Sequence, residues 1–144
     1  MTRGGVVDTY TKLLRLMPVI YPQFYVIHDV LKNELILLKL GNAESIEGHV
    51  DKTQFEAFCN HFHLFDNIGE ENYANVVCIG KSIANNLLAA LSQSFPDKEF
   101  VVYLEVSMTD SVTVRFHQSW KDEPLYFDMT QEYEGVKIFE LKNF

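Results

Sequence analysis

A chain of 144 residues, 47% hydrophobic and 22% charged, has the size and apolar content of one domain with its own core; disorder does not fit that balance. Twenty acidic residues against twelve basic ones leave a formal charge of -8, which repels phosphate backbones and anionic membranes and attracts basic partners. With only two cysteines, Cys59 and Cys78, a disulfide scaffold is not expected and the natural setting is a reducing one, the cytoplasm.

Met1 to Asp8 lack the uninterrupted apolar core of a signal peptide, and Lys12 and Arg15 interrupt any extension of one. No run approaches the roughly 18 apolar residues that a bilayer requires, the longest candidate being Leu35 to Leu40, so no membrane span is expected. Val6, Tyr10, Leu13, Leu14 and Met17 recur at helical spacing, with Asp8 in the first turn and Pro18 as a stop. This helix is expected to cover one face of a sheet. Beyond Pro22, Phe24 to Leu31 and Leu35 to Leu40 flank Lys32-Asn33-Glu34 and read as a hairpin that Gly41-Asn42 ends.

Thr53-Gln54-Phe55-Glu56 has the form of a capping box, in which the Thr53 hydroxyl accepts from the Glu56 amide and the Glu56 carboxylate reaches back to the Thr53 amide. Phe55, Phe58, Cys59 and Phe62 then predict one buried helical stripe. A turn from Asp66 to Tyr73 carries Gly69-Glu70-Glu71-Asn72, and a long helix follows within Val76 to Ser94, stopped by Pro96. Asn75 to Ile79 could open it as a short strand, although helix throughout is the preferred reading.

Phe100 to Val106 and Val112 to Gln118 alternate strictly and form the clearest hairpin, predicted to set Leu104 opposite Val114, Val102 opposite Phe116 and Tyr103 opposite Arg115. Trp120 to Pro124 reads as a turn, Leu125 to Met129 and Val136 to Leu141 as strands, and Glu132-Tyr133-Glu134-Gly135 as an acidic turn. The expected fold is α+β: one domain over residues 1–144, an antiparallel sheet of about five to six strands, and about three helices packed mainly on one face.

Signals for chemistry are thin. Cys59 and His63 share a face if helical, but two ligands do not make a zinc site. Gly80-Lys81-Ser82 resembles the end of a phosphate-binding loop, yet the glycines that such a loop needs earlier are missing. Both cysteines sit in apolar patterns that suppress a thiol nucleophile, and no Gly-X-Ser-X-Gly elbow occurs. No catalytic residue, metal or cofactor is therefore expected. The outer face of the long hairpin gathers Tyr103, Glu105, Thr113, Arg115 and His117; its plain reading is a cross-strand set in which Arg115 pairs with Glu105 and lies along Tyr103.

The stretch from Phe95-Pro96-Asp97-Lys98-Glu99-Phe100 through Val112-Thr113-Val114-Arg115-Phe116-His117-Gln118 resembles the C-terminal half of small bacterial immunity proteins of contact-dependent and polymorphic toxin systems. The resemblance spans about Lys81 to Asp128. It implies a non-enzymatic cytoplasmic protein that blocks the active site of a cognate toxin domain. The charge fits such a basic partner, with Glu70, Glu71, Asp122, Glu123, Glu132 and Glu134 as an acidic rim and Trp120 and Tyr133 as aromatic anchors. The alternative is a small enzyme or ligand-binding domain with a pocket between sheet and helices that uses Arg115 and His117.

Overall fold

Two long strands of alternating pattern place the centre of the molecule. In the computed structural model, which describes residues 3–40, 49–66, 69–107 and 111–144 (the side chains of residues 3–8 excepted), β4 (Phe100–Ser107) pairs antiparallel with β5 (Ser111–Gln118). Leu104 lies opposite Val114, Val102 opposite Phe116 and Tyr103 opposite Arg115, as the alternation predicts. β3 (His61–Asp66) extends the sheet beside β5 and β6 (Val136–Lys142) beside β4, giving the antiparallel order β3-β5-β4-β6.

β1 (Phe24–His28) and β2 (Glu34–Leu38) form a separate two-stranded sheet, so the α+β class holds with its described strands divided between two antiparallel sheets. Their connection is longer than Lys32-Asn33-Glu34 suggests. The Asp29 carboxylate accepts from the Leu31 and Asn33 amides and the Asn33 side chain, while Lys32 adopts a left-handed φ of 64°. β2 is buried on both sides: Ile36 and Leu38 enter the main core, whereas Leu35 and Leu37 pack on Phe55. The Asn60 side chain closes its outer edge by accepting from the Leu38 amide at 2.8 Å and donating to the Ile36 carbonyl at 2.9 Å. Gly41-Asn42 lies outside the described residues.

α4 (Tyr73–Ser94) is helical throughout and lays Val76, Ile83, Ala84, Leu87 and Leu91 on one face of the large sheet. The fully buried leucines among them, Leu87 and Leu91, contribute about 1.5–3 kcal/mol each. Gly80 permits the approach, since a Cβ there would sit 2.9 Å from both Leu104 methyl carbons. With its preceding turn this helix, Glu70–Ser94, has the length and mean hydropathy (1.3) of a membrane span, unlike any run singled out in the sequence; its apolar stripe is turned onto the sheet.

α3 (Lys52–Cys59) lies on the opposite sheet face, where the Arg115 guanidinium donates to the Ala57 carbonyl at the end of the helix. Its N-cap is Asp51, which accepts from the Gln54 amide, and not Thr53. The capping box does not form because both members are drawn elsewhere: the Thr53 amide and hydroxyl donate to Glu123, and the Glu56 carboxylate turns inward. The helix also stops at Cys59, short of the expected stripe. His61 to Asp66 is the strand β3, and Phe58 is left 42% exposed. Cys59 and His63 consequently share no helix face; His63 meets the Thr113 hydroxyl across the strands.

Two more expectations are corrected. Leu125 to Met129 is irregular, because the Tyr126 and Phe127 amides, in place of a strand partner, meet His117 Nε2 and the Tyr103 hydroxyl. The N-terminal helix divides into α1 (Arg3–Arg15) and the short α2 (Met17–Ile20), with Pro18 inside the first turn of α2. Among the described side chains of α1 and α2, only Leu16 and Val19 reach the core; Tyr10, Leu13, Leu14 and Met17 are exposed, so their stripe does not cover a sheet.

Candidate partner-binding surface

The outer face of the long hairpin is roofed by α3 and by the irregular segment 119–135. Tyr103 and His117 are fully buried there. The Gln118 carbonyl lies 2.7 Å from His117 Nδ1 and can only accept, so Nδ1 carries the proton and Nε2 accepts from the Tyr103 hydroxyl and the Tyr126 amide. Burial lowers the His117 pKa and raises that of Tyr103, which keeps both neutral. Arg115 gives Nε to Glu105 at 2.8 Å and lies over the Tyr126 ring at 4.7 Å, where Tyr103 was expected. Arg115 and His117 thus hold the roof to the sheet.

One expected anchor, Trp120, and one expected rim acid, Glu123, are half-buried and turned to partners within the chain. Trp120 donates Nε1 to the Glu56 carboxylate at 2.6 Å and packs beside Leu35, Leu37 and Phe55, with the Lys52 ammonium over its ring. Glu123 accepts both Thr53 donors at 2.8 Å and pairs with Lys52 at 2.8 Å. Burial pushes its carboxyl up, but the ammonium and the two donors outweigh it and leave its pKa lowered. Neither belongs to an open rim.

The other candidates are at the surface. Glu70 and Glu71 are exposed in the 3-10 turn before α4, and Asp122 is exposed at a left-handed φ of 70°. Glu132 and Glu134 are exposed in the turn before β6. Tyr133 is half-buried, its ring 5.4 Å from that of Phe127 and its hydroxyl on the Asp128 backbone. Gly80 over Leu104 and Phe95 against Phe100 orient α4 so that its first turn points toward the end of the sheet where Ser107 pairs with Val136. Glu70, Glu71, Glu132 and Glu134 therefore gather toward one end, and Asp122, Glu123 and Trp120 do not join them.

Two clefts adjoin through Met129 on the β6 side. One, of about 320 Å³, is lined by Glu132, Tyr133, Val136 and Lys137. The other, of about 330 Å³, lies between the 124–129 segment and β6 and is lined by Phe127, Asp128, Glu140 and Lys142. Glu140 stands opposite Tyr103 with its side chain 17% exposed. Lys142 holds Oε1 at 3.2 Å, whereas Oε2 is the one buried side-chain nitrogen or oxygen among the described residues without a hydrogen-bond partner. Sequence reading missed Glu140, whose only signal is an acid between Phe139 and Leu141 in a strand.

Among known proteins, residues 20–141 match the model of a family described as the Uncharacterized protein PM0498 family. No curated protein and no solved structure matches the chain.

Proposed function

We propose that this chain, which belongs to the Uncharacterized protein PM0498 family, is a protein-binding module that takes a basic partner on the β6 side of its sheet. The partner is a bacterial toxin domain whose active site it covers, and the chain acts as the immunity protein. The observation that carries this reading is Glu140, which lines the cleft while its Oε2 is shielded from water and given no donor by its own chain, a cost that a donor entering the cleft removes once the wall over Oε2 shifts aside.

A lysine or arginine side chain is the donor that suits it, because the charged pair is then shielded in a cleft. Asp128 lines that cleft and Glu132 its neighbour, both with exposed acid, and the formal charge of -8 steers a basic surface toward them. The rival pocket on Arg115 and His117 draws no support from side chains already committed to Glu105, Ala57, Gln118 and Tyr103.

Co-expression with the protein encoded immediately upstream tests the proposal. The expected result is a stable complex that suppresses the neighbour's toxicity and whose association rate falls with added salt. A neighbour that does not bind, together with turnover of a small substrate by this chain, would overturn it.

A further inference from the structure

The N-terminal helix is amphipathic with its polarity reversed. Arg15 donates to the Leu64 carbonyl at 3.2 Å, and Lys12, Arg15 and Leu16 line a crevice with Phe65 and Asp66, so the charged side faces the body. The apolar side faces outward: Tyr10 is 63% exposed, Leu13 51%, Leu14 70%, Met17 45% and Tyr21 70%. Tyr10, Leu13 and Leu14 share one face of α1, and Met17 and Tyr21 continue the uncharged surface across the break into α2 and its C-cap. Leu14, Met17, Pro18 and Tyr21 also wall a shallow groove with Gln23 and Lys39.

We infer that this stripe is the interface of a two-fold homodimer, in which each copy's α1 lies antiparallel on the other. Three considerations select a second copy as the occupant. An uncharged stripe beside a groove whose Met17-Pro18 wall is apolar is self-complementary: with the axis near Leu14, Tyr10 of each copy meets that wall of the other, away from the Gln23 and Lys39 side of the groove. With Ile20, the exposed side chains offer on the order of 600 Å² per copy, so complete cover buries at most about 1,200 Å² for the pair, close to the roughly 1,000 Å² that a specific interface needs. Homodimer interfaces are also the more apolar class, whereas a formal charge of -8 disfavours an anionic membrane as the cover.

The inference does not rest on the toxin reading. The matched family region begins at residue 20, so Tyr10, Leu13, Leu14 and Met17 lie outside it while Ile20 and Tyr21 lie inside, all far in sequence from Glu140. Sedimentation of the full chain, at concentrations up to about 100 µM, should give twice the 16.7 kDa protomer mass. Leu14→Glu and Tyr10→Glu should weaken self-association at least tenfold while the thermal midpoint of the dilute protein stays unchanged, because both side chains already face solvent. Leu14→Cys should form an intermolecular disulfide on mild oxidation. A wild-type monomer across that range, with or without binding to neutral vesicles, overturns the proposal. A dimer that persists in both glutamate variants does the same.

Discussion

Four N–H donors converge on the buried Glu56 carboxylate from two separate segments: the Ile36 amide, the Gln118 amide and side chain, and the Trp120 indole. The carboxylate ties the β1–β2 hairpin and the end of β5 to α3. Glu56→Ala strands all four donors, so urea unfolding should show a loss of about 3 kcal/mol or more. Burial pushes the Glu56 carboxyl, against those donors, up to about 7. A raised acid contributes stability that is complete below its unfolded pKa and lost as pH rises through the folded one; here that is up to about 3 kcal/mol between pH 4.5 and 8. His117 works in the opposite sense: its lowered pKa holds stability above the ordinary histidine range and loses it as pH falls through that range. An NMR titration should therefore find a Glu56 carboxyl midpoint near 7 and a His117 ring that protonates at lower pH than an ordinary histidine. A Glu56 midpoint near 4.5 would refute the first assignment. The type of Glu56 was legible in the sequence but its role was not, because Thr-X-X-Glu spacing cannot show that distant donors outcompete the local amide.

Elements follow the same rule. The β4–β5 register was readable because side-chain alternation leaves a single pairing that buries Val102, Leu104, Val114 and Phe116 together. β3 was not, since Phe58, Cys59 and Phe62 mimic a helical period by coincidence while His61 to Asp66 enters the sheet. For α1 the period was right, but a helix pattern does not say which body covers its apolar side. Glu123 joins the irregular segment to the start of α3, so Glu123→Ala should cost about 1–2 kcal/mol, whereas exposed Glu132→Ala should stay within about 0.5 kcal/mol. Gly80→Ala gains up to about 1 kcal/mol of helix propensity but presses on Leu104 in a filled core at a cost of about 1–3 kcal/mol. Chemical denaturation should register a net loss near 1 kcal/mol; a more stable variant would show that α4 can shift away from the sheet.

At the scale of the whole molecule, charge and cleft divide the labour of binding in the proposed function. Exposed acids such as Glu70 and Glu71 act at a distance, so neutralising them should slow association and flatten its salt dependence while leaving dissociation nearly unchanged. Net charge was legible from composition. The position of the binding cleft was not, because it depends on the 119–135 segment folding back over β4 and β6 and thereby burying Glu140. The central claim is that Glu140 receives a basic side chain of the partner. Its most direct test compares the dissociation rate of the complex with the upstream-encoded protein for the wild type and for Glu140→Gln, which keeps the shape and removes the charge. The account predicts at least a tenfold faster dissociation for the variant, whose free form still unfolds cooperatively. Equal dissociation rates would contradict it.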